Sequence, residues 1–130
     1  IVNRSALGPL YSEVVILRAG LNLGSAYEWD EHVVRARAKG LADTRIIALR
    51  GPVRNMAPDD GILALAVDEL FAGARLTPDT AAKTEALVGK AGVLDLMATV
   101  GFYSTLGYIL NTMETPLDDN IRAALASDPL

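Results

Sequence analysis

The chain has 130 residues, 51% of them apolar and 22% charged, which excludes a disordered chain and fits one domain spanning 1–130. Its 12 Lys and Arg against 16 Asp and Glu leave a net charge of −4, without the positive field that a sequence-independent nucleic-acid binder needs. Cysteine is absent, so no disulfide, thiolate nucleophile or thiolate metal ligand can form, and one histidine leaves few ligands for zinc. The apolar stretches read as too short to span a bilayer, and no charged start leads into a signal-like run. The expectation is a cytoplasmic protein with neither membrane nor nucleic acid as partner.

The pattern is helical almost throughout. Leu10, Val14, Leu17 and Leu21 recur at helical spacing, and Asn22 and Gly24 close that first helix. Ser25 caps a second helix, with Glu28 at the capping-box position, running to about Lys39 and stopping at Gly40. Asp43 caps a short helix through Arg50. The run Arg45 to Leu49 resembles a strand, but its cap and alanine favour a helix. Asp59 or Asp60 opens a fourth helix, with Leu63, Val67, Leu70 and Phe71 on its apolar face and Gly73 at its end. Thr77-Pro78 starts a fifth, an N-cap followed by proline at the first helical position, reaching about Gly89. A longer helix follows from about Ala91 to Asn111, and a weak segment from Leu117 to Ala126 comes after Pro116. The fold expected is all-α, about six helices, with a helical hairpin carrying the site.

The helix from 91 to 111 is apolar on several sides, including Leu94, Met97, Phe102 and Ile109. A small domain has difficulty covering such a helix, so a homo-oligomer is expected, with Gly101 and Gly107 permitting close helix approach.

Chemistry concentrates in Gly24-Ser25-Ala26-Tyr27-Glu28-Trp29-Asp30-Glu31-His32. Glu28 and His32 lie one turn apart and border the apolar stripe of their helix, where a half-buried polar cluster would sit. A carboxylate beside an imidazole fixes its tautomer, and histidine ordinarily titrates near neutrality, so such a pair can move protons. The competing reading is a capping glutamate and a surface histidine. Glu13 also borders the apolar stripe of its helix, so it is either half exposed or buried with a partner, and His32 is available across a hairpin turn at 22–24. Glu31 and Arg35 read as a solvent-side ion pair. Arg18, Arg45, Arg50 and Arg54 are candidates for holding a substrate anion. Tyr103 lies on the last long helix, as core, interface or hydrogen-bond donor, and Trp29 is a packing group or a pocket wall. Gly89-Lys90-Ala91-Gly92 lacks the other residues of a P-loop.

The order Glu13, Ser25, Tyr27-Glu28-Trp29-Asp30-Glu31-His32, Ala36, Gly40-Leu41, Asp43 resembles the carboxymuconolactone decarboxylase family, in the superfamily of the alkylhydroperoxidase D proteins. The similarity extends over about residues 10–115 and is most specific over 24–47. In the peroxidase branch a glutamate on the first helix precedes a Cys-x-x-Cys pair, with a histidine four residues beyond the second cysteine. Anchored on His32, the second cysteine falls on Glu28, the first on Ser25 and the glutamate on Glu13, without a gap. Both cysteines are replaced, so thiol-based peroxide reduction has no nucleophile.

The resemblance implies a cofactor-independent lyase of the decarboxylase type, needing neither metal nor organic cofactor and acting on a small carboxylated lactone or oxo acid. His32, Glu13 and Glu28 would be catalytic, and Ser25, Trp29, Tyr103 and Arg50 would bind substrate. It also implies a homo-oligomer: dimer, trimer or hexamer. An isomerase or hydratase would use the same residues. A non-catalytic binding or structural homologue would have the site closed to solvent or filled by side chains.

Overall fold

The computed structural model describes residues 5–130, which form six α-helices and one 3-10 turn, with no strand among the described residues. The elements are α1 (Pro9–Leu23), α2 (Ala26–Ala38), α3 (Asp43–Ala48), the 3-10 turn (Val53–Asn55), α4 (Pro58–Gly73), α5 (Pro78–Met113) and α6 (Asp119–Ser127). The fold is all-α, as the periodicity implies.

Helix α1 is the centre of the bundle, packed against α2, α4 and α5. Val14, Val15, Ile16, Leu17 and Ala19 are all buried, so α1 is covered around most of its circumference. The single stripe read from Leu10 to Leu21 is therefore too narrow: Leu21 is exposed, while Val15 and Ile16 lie inside because helices pack on more than one side. Arg18 completes this packing. Its guanidinium donates to both carboxylate oxygens of Asp68 at 2.7 and 2.8 Å, and to the carbonyls of Leu49 and Gly51 at 2.7 and 2.9 Å. One side chain thus fastens α1 to α4 and to the end of α3.

Proline at the first helical turn opens α1, α4 and α5, where its missing N–H costs nothing. Side-chain caps follow at Ser25, which accepts from the Glu28 N–H, and at Thr77, which accepts from the Thr80 N–H. Two helix starts need correction, whereas the end of α4 at Gly73 holds. Asp43 is inside α3, preceded by Ala42, and its carboxylate pairs with Arg37 instead of capping. Asp59 and Asp60 lie in the first turn of α4, with Pro58 ahead of them. Gly73 is the last residue of α4, and the left-handed position after it belongs to Ala74 (φ 58°). The break expected at Gly89 is present: its non-helical backbone (φ 76°, ψ 172°) kinks α5 between the two helical segments read from the sequence. Glycine takes that conformation without the clash a Cβ brings.

Beyond the kink, the outer side of α5 carries Leu94, Met97, Phe102, Tyr108, Ile109 and Met113 exposed, with Phe102 51% and Met113 71% accessible. The reading that every apolar stretch is too short to span a bilayer is also corrected. By length and composition α5 is long and apolar enough to cross a membrane, and residues 93–110 carry one charge, Asp95. Gly107 lies against Leu23 at the end of α1 and Glu28 of α2, whereas Gly101 faces open space.

Candidate functional site

A left-handed Gly24 (φ 63°) turns the chain between α1 and α2, and the two helices return side by side. The turn brings Glu13 and His32 together: His32 Nδ1 lies 2.6 Å from Glu13 Oε1. The relative exposures are 0% for Glu13 and 4% for His32, so this is an interior hydrogen bond. The second oxygen of Glu13 accepts from Lys39 Nζ at 2.9 Å. Burial works to raise the Glu13 pKa, but the hydrogen bonds and charges of His32 and Lys39 outweigh it, and the carboxyl lies below its ordinary value. Glu13 is thus an anion held between two donors.

Tyr103 of α5 closes the other side of the imidazole. Its ring stands edge-on to His32, with centroids 5.3 Å apart and planes at 89°, and Phe102 packs edge-on against Tyr103 in turn. Burial, then the negative charge of Glu13, pushes the Tyr103 hydroxyl up to about 12, so it stays a neutral donor at physiological pH.

Glu28 differs from Glu13 in every respect except burial. It is 1% exposed, and both carboxylate oxygens are buried without a hydrogen-bond partner. The other half of the capping box is missing: the Ser25 N–H donates to the Gly20 carbonyl, not to Glu28. Burial first, then the charge of Glu31, raises the Glu28 pKa from 4.5 to about 7. A Cβ at Gly107 would lie 3.5 Å from Glu28 Oε2 and 2.9 Å from Leu23 Cδ1, so the bare backbone of α5 roofs this carboxyl. Glu31 and Arg35 form the expected ion pair at 2.8 Å, with Glu31 the more buried partner.

The residues read as substrate-binding divide into two groups. Ser25, Trp29 and Arg50 line one cleft of about 300 Å³ with Gly20 and Asp30, and the Arg50 guanidinium lies 4.8 Å above the Trp29 ring. Tyr103 belongs instead to the buried cluster. A larger cleft of about 680 Å³ opens beside Tyr11, Arg45 and Asp59, away from His32. Two of the four candidate arginines are otherwise engaged: Arg18 in the packing described above, and Arg45 in a bidentate pair with Asp60 at 2.8 and 2.9 Å. Arg50, stacked on Trp29, and Arg54, which lines a separate cleft of about 350 Å³ with Val53 and Lys83, are the two that remain.

The sequence reading leaves out Lys39. Its signal is position: it lies seven residues beyond His32, two turns along the same helix face. Among the described residues, no three His, Asp or Glu side chains gather as a metal-holding group. Comparison of the chain with family models, with curated proteins and with solved structures finds no match.

Proposed function

We propose that this chain is a cofactor-independent lyase of the carboxymuconolactone decarboxylase type, built on an alkylhydroperoxidase D-like bundle and lacking the redox cysteines. Its substrate class is a small carboxylated lactone or oxo acid. The observation that carries the reading is the interior Glu13–His32 hydrogen bond beside an unpartnered, protonatable Glu28.

Ionised Glu13 accepts a hydrogen bond from the His32 Nδ1–H, which leaves Nε2 with a free lone pair as the base. In decarboxylation the bond to the carboxylate carbon breaks, its electron pair moves toward the conjugated carbonyl, and carbon dioxide leaves. The vacated carbon then takes a proton. Glu28, with a pKa near 7, holds such a proton at neutral pH. Tyr103 supplies a neutral hydrogen-bond donor for the oxygen that gains charge.

Substituting His32→Ala is expected to leave the helical circular-dichroism spectrum intact and to lower turnover by about 10²-fold or more, the usual worth of general acid–base catalysis. The substrate is found by screening small lactones and oxo acids against the His32 ring resonances, which are unambiguous because the chain has one histidine. If no acid or lactone perturbs those resonances, the enzymatic reading fails.

The burial of Glu13, Glu28 and His32 favours a second reading, a binding or structural homologue whose polar cluster is sealed. The ligand screen separates the two, since a sealed cluster does not respond.

A second part of the proposal is self-association through α5, whose exposed Leu94, Phe102, Ile109 and Met113 form an apolar surface next to Tyr103. Light scattering at micromolar concentration is expected to give at least twice the monomer mass, and Phe102→Glu with Ile109→Glu to give the monomer. A monomeric unsubstituted protein would refute this part.

A further inference from the structure

We infer that Lys39 is a positioning residue of this site: its ammonium, seated on the second oxygen of Glu13, holds that carboxylate ionised, so that His32 keeps its proton on Nδ1 and leaves Nε2 bare. The inference goes beyond the catalytic set proposed above and rests on that reading only for its consequence in turnover. The placement of the proton is a property of the protein without any substrate.

The geometry is specific. Glu13 uses Oε1 for His32 at 2.6 Å and Oε2 for Lys39 at 2.9 Å, so each oxygen has its own donor. The Glu13 side chain is fully buried, while that of Lys39 is 30% exposed and stands between the carboxylate and solvent. A buried carboxylate facing one neutral imidazole could be neutralised in two ways: by taking a proton from solvent itself, with Nδ1 then accepting and the ring proton on Nε2, or by drawing a second proton from solvent onto the ring. A fixed ammonium on its far oxygen removes the need for either. Lys39 can take this place because it caps the C-terminal end of α2 immediately before the turn at Gly40. There its charge also meets the negative end of the helix dipole.

Other ionisable groups surround the pair. Arg35, also on α2, has a charge that reaches Glu13, but it is bonded to Glu31. Tyr103 comes from α5 and is neutral at working pH, and Glu28 on α2 is protonated up to about neutrality. Lys39 is therefore the cation in direct contact with Glu13 besides a protonated His32.

The test is nitrogen-15 NMR of the single imidazole, with no ligand added. In the unsubstituted protein at pH 8 the ring is expected to show a protonated Nδ1 and a bare Nε2. In Lys39→Met the imidazole is expected to titrate about one pH unit higher, because the uncompensated carboxylate now favours imidazolium. Lys39→Arg is expected to restore the original titration. Lys39→Gln keeps a donor but no charge, so it is expected to behave as Lys39→Met and serves if the methionine variant fails to fold. The inference is overturned if His32 titrates identically with methionine or glutamine at 39, or if the neutral ring of the unsubstituted protein carries its proton on Nε2. A failed ligand screen would leave these titrations unchanged, so the two proposals fail separately.

Discussion

At pH 8, Glu28→Gln is expected to make the protein more stable by about 3 kcal/mol. The buried Glu28 carboxyl titrates at about 7 in the folded chain, against an ordinary value of 4.5. Below pH 4.5 both folded and unfolded chains hold this proton, and Glu28 adds no pH dependence. Between 4.5 and about 7 the unfolded chain releases it while the folded chain retains it. The unfolded state then binds fewer protons, so stability falls as pH rises, and above about 7 the loss is complete. Glutamine has the same shape and no charge to bury. Glu13 does not blur the comparison: its lowered pKa gives a stabilisation present above its ordinary value of 4.5 and lost only as pH falls through the folded value. Urea titrations at pH 5 and pH 8 measure the effect, with a steep decline expected for the parent and a shallower one for the variant. Equal declines would mean that Glu28 finds a partner or water in solution. The same substitution is expected to lower turnover, because the amide cannot deliver a proton. Stability gained with activity lost would mark Glu28 as a site where function opposes folding.

Arg18→Met is expected to have an effect of similar size and opposite sign, a loss of about 3 kcal/mol and about 10 °C in thermal midpoint. Methionine keeps much of the aliphatic volume, so the loss reports the polar contacts. Four acceptor contacts disappear together: two on Asp68 and the carbonyls of Leu49 and Gly51. The Leu49 bond is buried, so its carbonyl has no ready substitute in water. Arg35→Met is the control. Its guanidinium is 57% exposed and its one ion pair is of the i,i+4 kind, so the expected change is under about 1 kcal/mol. If Arg18→Met proved as mild as Arg35→Met, the fastening of α1 to α4 would be ornamental.

What the sequence makes legible here is local. Helices, the turn at Gly24, the Ser25 cap and the meeting of Glu13 with His32 all follow from spacing within about thirty residues. The hairpin needs no distant information. Arg18 shows the opposite case: nothing near it in sequence distinguishes a packing arginine from an anion-binding one, because its partners Leu49, Gly51 and Asp68 lie on other elements. The missing half of the capping box has a similar cause. Glu28 has the right spacing to reach back, but the helix end offers its N–H to Gly20 instead, and α5 covers the carboxyl. The membrane length of α5 is hidden when only uninterrupted apolar runs are counted, because Asp95, Thr99, Ser104 and Thr105 break residues 93–110 into short pieces.

The hairpin turn at Gly24 also orders events in time. The contacts that make the charged cluster join residues 19 and 26 apart, Glu13 with His32 and Glu13 with Lys39. Contacts that bring α5 onto the rest span far more chain, such as Ala6 with Asp95 at 89 and Leu23 with Asn111 at 88. Closing the shorter loop sacrifices less chain entropy, so α1 and α2 are expected to pair before α5 docks. During that interval Glu13, His32 and Lys39 can exchange protons with water. The arrival of Tyr103 and Gly107 then removes the solvent. Burial of the cluster is thus completed by the last long helix, and the half-open side at Lys39, 30% exposed, is where the folded pair still equilibrates with water.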